Sequence, residues 1–181
     1  MDNPTTLLVA IMYVTIVATG LVNVLMTLSE IVGGRLKTAA IHTGWLVLLF
    51  LCYLSFFWET TAILEIEGWD FLSFLTFIIG PILLLFATNL VTSVDDVVDG
   101  AVPDRYYFEQ SARFFLLLAL VQVWTIGLDF VFGNVTHMTW LTAGIGVLFI
   151  VLMSSKNYRL HVAGLAVIGL AFLLRIVLHA L

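Results

Sequence analysis

Residues 69–94 read WDFLSFLTFIIGPILLLFATNLVTSV. No charged side chain stands between Asp70 and Asp95, and the stretch exceeds the ~20 apolar residues a helix needs to cross the hydrocarbon core of a bilayer. A helix that is apolar all round demands apolar surroundings on every side, and lipid supplies them. This stretch therefore predicts a transmembrane helix. Five neighbours share its character: Thr6 to Ile31, Ala39 to Ile63, Arg105 to Phe132, Thr136 to Ser154 and Tyr158 to Leu181.

Composition agrees with that reading. The 181 residues are 62% hydrophobic and 10% charged, against roughly 45–50% and about 25% in soluble domains. So small a soluble domain could not hide this much apolar surface. The chain is read as a single all-α unit, residues 1–181, a polytopic bundle of six transmembrane helices. The amino-terminal MDNPTTLLVAIMYV has no basic region ahead of its apolar run, so it reads as the first helix and not as a cleaved signal. Gly33-Gly34-Arg35, Glu65 to Gly68, Asp95 to Asp104, Gly133-Asn134 and Ser155-Lys156-Asn157 divide the helices. These connections are short, which makes successive helices antiparallel neighbours.

Lys and Arg give the bundle a direction, because they collect in cytoplasmic loops. Arg35, Lys37, Arg105, Lys156 and Arg159 all fall beside the odd-numbered connections. Those connections are expected inside, with both termini non-cytoplasmic, in a cell membrane. Glu59, Glu65, Glu67 and Asp70 are then outside. Trp58, Trp69, Tyr106, Tyr107 and Tyr158 stand at helix ends, as an interfacial aromatic belt would.

The two halves of the chain show a faint likeness. His42-Thr43-Gly44-Trp45-Leu46 opens the second stretch and His137-Met138-Thr139-Trp140-Leu141 the fifth; Ile78-Ile79-Gly80 is matched by Val167-Ile168-Gly169, and Gly20-Leu21 by Gly127-Leu128. A three-helix repeat reverses in the membrane, giving the 3+3 inverted plan that places a transporter's site between its halves. Helices built from Leu, Ile, Val, Gly and Phe also resemble one another by composition alone.

Polar groups inside the stretches are the candidates for a transport path, since charge in hydrocarbon asks for a partner or a purpose. Arg113, Asp129 and Arg175 are the ionisable ones; Asn23, Asn89 and Gln122, with Thr43 and Tyr53, are neutral. Asp129 and Arg175 fall at similar depth, which reads as a gate or relay, or more simply as a structural ion pair or outward snorkelling. Arg113 fits a lipid phosphate or a pair with Glu30 or with Glu109 at i−4. Neutral groups of this kind also hydrogen-bond helices together. Gly80-Pro81 marks a candidate hinge, because proline frees a carbonyl one turn earlier.

No metal or cofactor is expected. His42 and His161 share one depth and His137 and His179 another, which formally permits haem ligation, yet all four stand near helix ends. Asp95, Asp96, Asp99 and Asp104 match no calcium-loop spacing and read as a solvated turn, with Asp104 an amino cap. The single cysteine, Cys52, rules out an internal disulfide and reads as a buried thiol. No nucleophile motif, phosphate loop or dinucleotide fingerprint is present, so no enzyme is nominated. Seven Lys and Arg, dispersed along the chain, exclude nucleic acid as an expected partner.

AAIHTGWLVLLFLCYLSFFWE, then WDFLSFLTFIIGPILLLFATNL and PDRYYFEQSARFFLLLAL, resemble a pattern in bacterial six-helix integral membrane proteins. Its marks are a His or Trp opening the second helix, an FW pair closing it, and PD…YY…R…FF entering the fourth. The resemblance covers about half the chain and implies a fold and a bilayer, the inner membrane of a bacterium, with no activity attached. The functional expectation is a small transporter or channel for an ion or polar solute, self-associating because six short helices enclose little polar volume. The alternatives are a non-catalytic subunit that binds another membrane protein and a haem-binding redox subunit.

Overall fold

A computed structural model describes residues 4–64, 66, 68–92, 104–131, 133 and 135–180, with residues 62, 104–106 and 175–180 described by their backbone only. The fold is all-helical. Its elements are α1 (Pro4–Val32), α2 (Ala40–Trp58), the single turn α3 (Thr60–Ile63), α4 (Phe71–Thr92), α5 (Asp104–Val131), α6 (His137–Met153) and α7 (Tyr158–Ala180). Thus the six expected helices form, and the connection after α2 carries one extra turn. Four of them, α1, α2, α4 and α5, are long and apolar enough to cross a membrane. The 17 residues of α6 rise only about 25 Å at 1.5 Å per residue, short of a ~30 Å core.

Local chemistry fixes the helix ends. Gly34 at φ 71° and Gly133 at φ 68° follow α1 and α5 in the left-handed conformation that costs a residue with a Cβ. The amide of Arg35 then donates to the Glu30 carbonyl at 2.9 Å, closing the exposed end of α1. Before α4, the Asp70 carboxylate accepts from the Ser73 amide at 2.7 Å. Hydrogen bonds from Ser73 hold that exposed carboxyl below its ordinary range. Thr136 and Thr139 form a capping box at the start of α6.

The six long helices close a ring. α1 packs on α2 and α4, α4 on α5, α5 on α6, α6 on α7, and α7 returns to α2. Every long helix is amphipathic only weakly, since its outer face is as apolar as its inner one; Leu8, Met26, Phe86, Val123 and Val147 are all exposed. Helix contact is therefore set by shape and by small residues more than by polarity. Gly20 on α1 receives the Tyr53 ring of α2, and Gly80 on α4 receives the Trp124 indole of α5.

The half of the ring toward the 33–39 and 154–157 connections is packed solid. Trp45 of α2 meets Phe114 and Phe115 of α5 edge-on, at 5.8 and 5.0 Å between centroids, and reaches Phe149 of α6 at 6.3 Å. Next to them is a buried polar relay. The His161 Nε2 lies 2.9 Å from the Ser155 carbonyl, which can only accept, so Nε2 carries the proton. Nδ1 is then the acceptor for the Tyr107 hydroxyl at 2.8 Å. Tyr107 is 3% exposed and His161 fully buried, so Tyr107 is an inter-helix tie and does not join the interfacial belt expected of it. Tyr107→Phe should cost about 1–3 kcal/mol, the penalty for a buried acceptor left unmet. Equilibrium unfolding in detergent would measure that loss.

The matched positions of the two halves do different work. Trp45 is 1% exposed whereas Trp140 is 71% exposed. Gly20 and Gly80 hold aromatic rings, and an added Cβ at Gly127 or Gly169 would meet nothing within 4 Å. α1 packs on α4, while their counterparts α5 and α7 form no comparable seam among the described residues.

Candidate functional site

The other half of the ring, toward the 59–70 and 132–136 connections, encloses a cavity of about 370 Å³. This falls within the range of small-molecule sites, roughly 300–1,000 Å³. All six long helices contribute to it, so one chain builds the whole wall. Its deep end is apolar: Leu49, Leu84, Leu118, Phe149 and Ile168, with Trp45 beneath. Trp45, Phe114, Phe115 and Leu152 are each no more than 1% exposed and close that end.

Polarity increases toward the rim. Gln122, Thr125 and Asp129 follow one another on the inner face of α5, opposite Thr142 of α6 and Ser55 and Glu59 of α2. Asp129 Oδ2 accepts from the Thr139 hydroxyl at 2.7 Å. The Thr139 oxygen in turn accepts from the Thr136 amide at 3.1 Å, so the α6 capping box holds this carboxylate in place. The Glu59 carboxylate, at the carboxy end of α2, stands exposed on the same rim.

Four rings from four helices form one wall. Tyr13 lies 6.5 Å from Phe56 and 5.8 Å from Phe77; Trp124 lies 6.1 Å from Phe56 and 6.3 Å from Phe77. Trp124 is fixed further by its Nε1, which donates to the Thr76 carbonyl at 2.7 Å. That carbonyl belongs to the turn ahead of Pro81, where the missing proline amide loosens the backbone ladder. α4 continues unbroken through Gly80-Pro81, and the notch there serves as the seat of an indole.

Of the residues nominated from sequence, Gln122 and Asp129 line the cavity, Asn23, Asn89 and Arg113 do not, and the side chain of Arg175 lies outside the described residues. Asn23 donates from Nδ2 to Asn89 Oδ1 at 3.1 Å, a tie between α1 and α4 on the outside of the ring. Arg113 is exposed on α5 and does not line the cavity. Arg175 belongs to α7, seven residues after Ile168, and its side chain lies outside the described residues, as does that of His179. The acidic turn from Asp95 to Asp99 also lies outside them, and Asp104 is described by its backbone as the first residue of α5. Tyr53 donates to Thr88 at 2.8 Å, because the Thr88 hydroxyl proton is already committed to the Leu84 carbonyl. Thr43 pairs with Thr38 at 2.7 Å.

Tyr13, Cys52, Glu59 and Trp124 were not nominated. Glu59 reads in sequence as an acid of an outside loop, and nothing local marks Tyr13 or Trp124. No three His, Cys, Asp or Glu residues come together among the described residues, and both nitrogens of His161 already have partners. Comparison with family models, with curated proteins and with solved structures finds no match to the chain.

Proposed function

We propose that the chain is a six-span membrane carrier that takes a small amphipathic solute into the cavity from the face bearing Glu59 and Asp129. By the distribution of Lys and Arg that face is the non-cytoplasmic one. The observation that supports this reading is the cavity itself: drug-sized, built by every long helix, polar at one end and stopped by aromatic rings at the other. A carrier at rest needs one end sealed, whereas a channel needs a continuous path. α6, about 25 Å long, spans by local thinning of the bilayer.

Reconstitution into liposomes tests it. Saturable flux of small amphipathic solutes, with no single-channel conductance in a planar bilayer, is expected. Ohmic conductance, or the absence of flux across a panel of cationic, neutral and anionic solutes, contradicts the carrier.

One observation favours a second reading, a non-catalytic subunit docked to another membrane protein. The Asn23–Asn89 pair sits on the outer surface of the α1–α4 seam, where lipid offers no hydrogen bonds and a partner helix does. A stoichiometric partner surviving mild detergent extraction, and lost in Asn89→Leu, is the result that reading requires.

A further inference from the structure

Resting on the carrier reading, we propose that the cavity is specific for a lipophilic organic cation: an amine or quaternary onium centre on an aromatic or alkyl body. Three independent features of the cavity agree on that class.

The first is charge. Glu59 and Asp129 place two carboxylates on the rim, from α2 and α5, and no Lys, Arg or His lines the cavity among the described residues. An anion entering here meets like charge in a medium that screens it poorly. The second is the ring wall. Tyr13, Phe56, Phe77 and Trp124 line the same cavity as the carboxylates. Aromatic faces attract cations, most of all soft, weakly hydrated ones, and rings combined with acids are how quaternary ammonium groups are held. The third is the deep end. Leu49, Leu118, Phe149 and Ile168 offer nothing to a hydrated inorganic ion, which would have to shed water for too few oxygens to replace it. They suit the apolar body of an organic ion.

Gln122, Thr125 and Thr142 lie between rim and floor. The hydroxyl of Thr125 is already committed to the Val121 carbonyl and that of Thr142 to the Met138 carbonyl. Both hydroxyls therefore present lone pairs to the cavity, and lone pairs receive a cation's polarised hydrogens. Thr139 likewise donates to Asp129 and orients that carboxylate.

Tetraphenylphosphonium and tetraphenylborate provide a direct test, since they share size and shape and differ in the sign of their charge. Binding is measured on the full chain in nanodiscs, with empty discs subtracted, and repeated as protection of Cys52 from N-ethylmaleimide. Cys52 is the sole cysteine and lines the cavity, so the label reads occupancy directly. Saturable phosphonium binding is expected, at least tenfold tighter than borate. Asp129→Asn, which keeps an acceptor for Thr139, should weaken phosphonium binding about tenfold, and the double variant Glu59→Gln/Asp129→Asn should abolish it.

Equal affinity for the two ions, preference for borate, or undiminished phosphonium binding in the folded double variant overturns the proposal. Phosphonium binding without transport would overturn the carrier reading and leave the ligand class standing. Transport of neutral or anionic solutes without phosphonium binding would do the reverse.

Discussion

Gly80→Ala should leave the protein about 1–3 kcal/mol less stable than Gly169→Ala, the cost of forcing extra volume into a packed contact. A Cβ at Gly80 lands on the Trp124 indole, and one at Gly169 meets nothing within 4 Å. The gain in helix propensity from glycine to alanine, about 1 kcal/mol, applies to both sites and cancels in the comparison. Trp124 has little freedom to yield. Its Nε1 donates to Thr76, and its ring is stacked on Phe56 and met edge-on by Phe77. Thermal unfolding of the two variants in one detergent measures the difference. The two glycines are also the matched pair of the apparent repeat, and identical unfolding would contradict the difference in their packing.

Trp45→Ala is expected to have the larger effect, about 3–5 kcal/mol, as for other large aromatic residues removed from a core. Trp45 touches three rings on two other helices and is 1% exposed. It is also the floor of the cavity. Truncating it opens the cavity toward the packed half of the ring, so the surviving folded fraction should admit reagents from the sealed side. Trp45→Phe, which keeps a ring in place, should retain the seal. Wild-type stability in Trp45→Ala, measured by unfolding in detergent, would rule out the plug as described.

The helices were legible because their signal is long and collective: twenty uncharged residues admit few alternatives. Their arrangement was not. In lipid both faces of a helix are apolar, so hydrophobic periodicity, which points inward in a soluble protein, loses its meaning here. That is why Asn23, Asn89 and Arg113 read as interior candidates and lie outside the cavity, while Tyr107 reads as interfacial and is buried. One signal within reach was the spacing of Gln122, Thr125 and Asp129, at i, i+3 and i+7, a polar stripe on one helix face. Glu59 carried no such mark. Its place on the rim depends on α2 and α5 meeting across a ring, a long-range fact that no local pattern encodes. The apparent repeat illustrates the converse: His42 to Leu46 and His137 to Leu141 share letters, yet one segment faces the core and the other presents Trp140 outward. A short run of common residues fixes helix formation without fixing the face that packs.

The account turns on a cavity open to one side of the membrane and sealed from the other, and Cys52 reports on it without any added mutation. It lines the cavity six residues, or about 9 Å, from the Trp58 end of α2. The decisive measurement is the initial rate at which a membrane-impermeant maleimide labels Cys52, compared between right-side-out and inside-out vesicles without ligand. The account predicts fast labelling from the face that carries Glu59 and Asp129 and little from the other. Equal rates from both faces, or labelling only from the face of Lys156 and Arg159, would contradict it.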